Sequence, residues 1–146
     1  LLTLCPVAER AADPRPALDS KWKGRSGEIY TVQGKGGLTR EVMIPHELAA
    51  RLEERRLDAP QVVTDRGVFY QSSYDIGGGQ RWSNSVSAAS ERTMGRSTGA
   101  HGLRHSYAQE RMTELQNRGL SRDAALETVS QEMGHFRPEI TETYLR

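Results

Sequence analysis

The chain has 146 residues, enough for one domain with a real core and too few for two ordinary ones. Its residues are 36% hydrophobic and 27% charged with a net charge of +1, which predicts a soluble globular protein. No apolar run approaches the roughly 18–20 residues of a membrane span, so no membrane partner is expected. The start, Leu1-Leu2-Thr3-Leu4-Cys5, lacks the basic region that opens a secretory signal, and a lone cysteine permits no internal disulfide. Both point to a reducing, cytoplasmic location.

Leu1, Leu2 and Leu4 look like the end of an apolar helix. Residues 6–20 contain Pro6, Pro14 and Pro16 and read as loop. Glu28 to Val32 is rich in β-branched and aromatic residues and predicts a strand. Gly34-Lys35-Gly36-Gly37 turns it, and Arg40 to Ile44 returns as its partner, ending at Pro45. His46 to Arg56 predicts a helix with Leu48, Ala49 and Leu52 on one face. Val62-Val63 and Val68-Phe69-Tyr70 read as short strands or buried loop, and Gly77-Gly78-Gly79 as a flexible break. Trp82 to Met94 predicts a helix with Trp82, Val86, Ala89 and Thr93 on one side. A loop over 96–99 precedes a helix from His101 to Arg118, with Leu103, Tyr107, Met112 and Leu115 facing a core. Gly119 stops it, and Ser121 caps a helix carrying Ala125, Val129 and Met133. Gly134 stops that one in turn. Pro138 suits the first turn of a last short helix bearing Ile140 and Tyr144. The pattern is α+β: mainly α with one small antiparallel β-sheet.

Five basic residues, Lys21, Lys23, Arg25, Lys35 and Arg40, lie between positions 21 and 40 against one acid, Glu28. Lys21, Lys23, Arg25 and Arg40 are therefore candidate DNA-phosphate contacts, although a solvated hairpin is the plainer reading of the charge alone.

Some of these side chains suit phosphodiester chemistry. Breaking that bond requires a nucleophile, fixed positive charge on the non-bridging oxygens and an acid for the leaving alkoxide. Arg104 offers a rigid guanidinium fork at a predicted helix start, where backbone N–H groups also favour an anion; its plainer role is pairing with a helix carboxylate such as Glu110. Lys35, between glycines, is the candidate acid, against the commoner fate of an exposed turn lysine. His101 and His135 are candidate proton-transfer or hydrogen-bonding groups. Tyr144, nine residues after His135, is the candidate nucleophile, against the plainer reading of an aromatic anchor. Tyr30, Tyr70, Tyr74 and Tyr107 read as such anchors. His105 and His46 read as satisfied core or surface histidines. The spacing of His101 and His105 also admits a zinc site completed by His135, but no His-Glu-x-x-His motif accompanies it.

Taken in order, Gly34-Lys35-Gly36-Gly37, His101-Gly102-Leu103-Arg104, Met133-Gly134-His135 and Thr143-Tyr144 resemble the catalytic domain of tyrosine recombinases, the phage integrases. The resemblance runs from Glu28 to the last residue. It implies a DNA breaking–rejoining fold, attack by Tyr144 to give a 3′-phosphotyrosyl intermediate, and site-specific recombination or integration of a mobile element. It also implies double-stranded DNA as partner, self-association as a tetramer on DNA, and no cofactor. By motif position, His101 and Arg104 resemble the family's second-box pair, His135 its third-box histidine and Lys35 its hairpin lysine. A first arginine on a helix ahead of the hairpin is expected to precede Leu1, because Arg10, Arg15 and Arg25 lack that helical context. Residues 1–146 are thus read as a single catalytic domain missing that helix and the core-binding domain, slow or inactive by itself. The alternatives are a noncatalytic DNA-binding module and a type IB topoisomerase-like enzyme.

Overall fold

A computed structural model of the chain describes residues 1–34 and 36–146; Lys35 lies outside them. The architecture is α+β, with five α-helices and two small antiparallel sheets among the described residues. The chain divides into two compact units. The first comprises Leu1–Arg15 and Arg25–Ser85, the second Pro16–Gly24 and Val86–Arg146.

The first unit holds a three-stranded sheet in the order β1 (Cys5–Pro6), β2 (Glu28–Gln33), β3 (Thr39–Ile44). The β2–β3 register runs from Glu28 opposite Ile44 to Gln33 opposite Thr39, as the alternation in the sequence suggests. The helix expected over Leu1–Leu4 is not there. Those residues make one turn, Leu4 N–H to Leu1 O at 3.0 Å, and then enter β1, where Cys5 pairs with Thr31. Pro6, lacking an N–H, suits that short edge strand. Helix α1 (His46–Glu53) lays Ala49 and Leu52 into a core with Leu4, Tyr30 and Tyr74; Leu48 is exposed instead.

Two strands longer than their valine pairs suggest follow: β4 (Arg56–Asp65) and β5 (Val68–Tyr74). Between them Arg66 and Gly67 both have positive φ, 49° and 76°, as a two-residue hairpin turn matched to strand twist requires. The register slips between Arg56 and Gln61, around Pro60, which cannot donate to the ladder. The glycine run is open at Gly77 but closely packed at Gly78 and Gly79. A Cβ on Gly79 would stand 2.4 Å from the Asp65 carboxyl carbon, and that carboxylate accepts the Gln80 N–H at 2.9 Å where α2 begins. This bond, first among its causes, holds the Asp65 carboxyl below its ordinary pKa.

Helix α2 (Gly79–Met94) runs from the first unit into the second. No residue on it is buried: Trp82 and Val86 are half-buried, Ala89 and Thr93 exposed. The second unit is built on α3 (Gly102–Asn117), α4 (Arg122–Met133), α5 (Pro138–Glu142) and a 3-10 turn at Thr143–Leu145. Its core joins Ala108, Met112 and Leu115 of α3 to Ala125, Leu126, Val129 and Met133 of α4, with Tyr144 and Leu145 against it. Leu103 is off this stripe and half exposed, because the buried line of α3 runs through 108, 111, 112 and 115. Ser121 caps α4 by accepting the Ala124 N–H at 3.2 Å.

A buried polar hub ties α3 to α4. Glu132 accepts from Arg111 Nε at 3.0 Å, Arg111 Nη2 at 2.9 Å, the Tyr107 hydroxyl at 2.6 Å and the Trp22 N–H at 2.8 Å. Glu114 adds an ion pair to Arg111 Nη1 at 2.8 Å. Burial works against the Arg111 charge, but these carboxylates outweigh it and raise its pKa.

Candidate functional site

Four of the five sequence-derived catalytic candidates lie in the second unit, and its helix ends bring them together. The 101–104 face continues the buried stripe of α3 by one more turn, so the line that packs the core at Ala108 emerges at Arg104 and His101. His135 is aimed by the end of α4. Gly134 adopts a left-handed φ of 77°, its N–H bonds Gln131 O at 3.0 Å, and the His135 N–H bonds Ser130 O at 2.9 Å. That paired closure fixes the direction in which the chain leaves the helix. Pro138 then starts α5, and the following 3-10 turn presents Tyr144.

Among the described residues, Arg104 bonds neither Glu110 nor any other carboxylate. Its Nη2 donates to Met133 O at 3.0 Å and to His135 Nε2 at 2.8 Å. A guanidinium has no acceptor, so His135 Nε2 accepts, and Nδ1 donates to Thr141 Oγ1 at 2.9 Å. The Arg104 Nε–H is buried without a partner among the described residues. The Tyr144 hydroxyl lies 3.0 Å from His101 Nε2. Its ring stacks on His135 with centroids 5.2 Å apart at 22°, and the Arg104 guanidinium carbon stands 5.6 Å from the ring centre.

The helix start of α3 does not offer the anion site that its sequence suggests. The N–H groups of Gly102, Leu103 and Arg104 are donated to the carbonyls of Gly99, Ala100 and His101, at 3.1, 3.3 and 3.0 Å. Positive charge at the site therefore comes from side chains. Beside it opens a cleft of about 570 Å³ between the end of α2 and the start of α3, lined by Arg96, Thr98, His101, His105, Ser106 and Gln109 among others, with no carboxylate in the lining.

His105 is the residue that sequence reasoning set aside. It packs against the Tyr144 ring at 4.8 Å, and its Nδ1 lies 3.2 Å from the Tyr144 carbonyl oxygen. Its spacing of four from His101 was the available signal, since that puts both imidazoles on one helix face. Thr141, fully buried under His135, had no signal at all.

No protein-family model, no curated protein and no solved structure matches this chain. The site thus stands on its own geometry. His101, His105 and His135 do not form a metal centre: Arg104 faces His135 Nε2, Tyr144 takes His105 Nδ1, and no group of three metal-ligating side chains occurs among the described residues. Of the candidate DNA contacts, Lys21 and Lys23 belong to the second unit and Arg25 and Arg40 to the first. Lys21 Nζ stands 5.4 Å from the Trp22 ring centre, and Arg40 sits in β3 opposite Val32. Arg10, in the first unit, is committed to structure: it donates to Thr31 Oγ1 at 3.1 Å, to Thr31 O at 2.9 Å and to Thr3 O.

Proposed function

We propose that the chain carries the catalytic site of a tyrosine-type DNA breaking and rejoining enzyme, acting in site-specific recombination or integration on double-stranded DNA. The carrying observation is the Tyr144 hydroxyl at 3.0 Å from His101 Nε2, with the Arg104 guanidinium beside the same ring. In this reading Tyr144 Oη attacks phosphorus while His101 Nε2 takes the phenolic proton. The bond from phosphorus to the 5′ oxygen breaks, leaving a 3′-phosphotyrosyl link and a 5′ hydroxyl. Lys35 is the proposed donor of the proton that the 5′ oxygen receives. Attack by a 5′ hydroxyl on the same link reverses each step and rejoins the strand.

Arg104 would neutralise a non-bridging oxygen. Its buried, partnerless Nε–H supports this, because an orphaned charged donor is costly and an anion nearby lowers that cost. The carboxylate-free cleft beside His101 suits a polyanionic strand. The family resemblance of the motifs agrees with this geometry, and a recombinase-like catalytic fold with self-association on DNA is proposed with it.

The test is covalent trapping. A pool of nicked duplexes of random sequence, from which the cleaved end diffuses away, is incubated with the chain at low salt, and tryptic peptides are weighed. A nucleotide adduct on the peptide containing Tyr144, absent in Tyr144→Phe, is expected. No adduct at all, or one that persists in Tyr144→Phe, overturns the proposal.

A further inference from the structure

His105 has no part in the chemistry just proposed, yet it touches Tyr144 twice. Its ring centroid is 4.8 Å from that of the tyrosine, and its Nδ1 is 3.2 Å from the Tyr144 carbonyl oxygen. A carbonyl only accepts, so Nδ1 carries the proton. His101, one turn earlier at the N-cap of α3, meets the other end of the same residue, with Nε2 3.0 Å from the hydroxyl. One helical turn rises about 5.4 Å. The two imidazole centroids are 6.2 Å apart, a span comparable to a tyrosine side chain from backbone to hydroxyl.

The residue gripped this way has little local support. It sits in a three-residue 3-10 turn without a side-chain cap, after a helix of five residues. Segments that short hold their shape only through tertiary contacts. The geometry points to His105 as a positioning residue: its Nδ1–H holds the Tyr144 backbone so that the phenol hydroxyl stays at His101 Nε2. The catalytic consequence rests on the phosphodiester reading above, while the clamp itself does not.

Two amide variants probe the two ring nitrogens separately. His105→Asn places a donor near the Nδ1 position, His105→Gln near Nε2, and His105→Leu keeps bulk with no donor. Amide hydrogen exchange over residues 143–146 is expected to quicken about fivefold in His105→Leu and His105→Gln, the worth of one net hydrogen bond. His105→Asn is expected to restore the wild-type rate, with the unfolding transition unchanged in all three. On DNA, the Leu and Gln variants are expected to slow single-turnover adduct formation without changing the half-saturating DNA concentration, and Asn to recover it. The proposal is overturned if Gln rescues as well as Asn, or if Leu leaves exchange unchanged. Should Leu fail to fold, the Asn–Gln contrast still decides. Absence of adduct in the wild type removes the phosphodiester reading alone, because the exchange pattern is read without DNA.

Discussion

Tyr30 and Tyr74 in the first unit both donate to one carboxylate oxygen of Glu53, at 2.7 and 2.6 Å. Among the described residues, the polar side chains that Tyr144 in the second unit meets are imidazoles and a guanidinium. The two settings surround the phenol with different charge. Burial, followed by the Glu53 hydrogen bond and charge, pushes the Tyr30 hydroxyl up to about 12 and Tyr74 higher still, so both stay protonated and act as fasteners. Tyr107 is a fastener of the same kind on Glu132. Tyr144 alone among these four has its hydroxyl against an imidazole rather than a carboxylate. The residue type is the same throughout, and the neighbours make the difference that the proposed function draws on.

If carboxylates mark the structural side of this contrast, the largest loss of stability comes from Glu132. Glu132→Leu leaves the Arg111 charge buried with only Glu114 beside it, and is expected to cost at least about 3 kcal/mol in urea unfolding. A loss below about 1 kcal/mol would break the assignment of this hub as structural. Arg104→Lys tests the chemical side. It keeps charge but loses the fork that holds Met133 O and His135 Nε2. Adduct formation is expected to fall about 100-fold with little change in unfolding midpoint. A normal rate would make Arg104 structural.

Glu53→Gln sharpens the contrast within the first unit. Absorbance titration is expected to show Tyr30 ionising below its wild-type value of about 12 but still above 10.0, because burial, the largest cause, remains. The linkage has a definite sign. Raised tyrosines contribute stability that is fully present below pH 10.0 and is lost as pH climbs through about 12. The Glu53 carboxyl is pushed up by burial but held lower overall by Tyr74, Tyr30 and Arg56, so its contribution is present above pH 4.5 and fades as pH falls through its folded value. The smallest effect serves as a control. Ser121→Ala is expected to cost about 1 kcal/mol through the lost α4 cap, without moving the titration of Tyr30 or the reactivity of Tyr144.

Local signals were legible in the sequence where one short segment decides the outcome. The β2–β3 hairpin follows from alternation and flanking glycines, the α4 start from Ser121 and its end from Gly134. The nearness of the four candidate side chains was legible as spacing, because His101 and Arg104 lie one turn apart at the start of α3 and Gly134 fixes the exit of His135. What escaped depends on partners distant in sequence. The apolar look of Leu1–Leu4 is equally that of a helix and of a turn packing under β2, and only the pairing of Cys5 with Thr31 decides. Glu110, the plainer partner for Arg104 on its own helix, is not the one it takes, because its partners lie 29 and 31 residues away. Leu103 reads as core by type and lies off the stripe by phase.

The Glu132 hub also has a consequence for how this sequence can change over generations. Four donors from Trp22, Tyr107 and Arg111 converge on one carboxylate. Replacing Tyr107, Arg111 and Glu132 together by apolar residues of similar volume removes the buried charges along with their desolvation and leaves one neutral donor, the Trp22 backbone N–H, to be re-partnered; such exchanges are often neutral or better. Any single step toward that state strands a charge or a donor in the interior. The path between two workable sequences therefore crosses poorly folding intermediates, and lineages descending from this chain are expected to keep the three residues as a block or to exchange them as one.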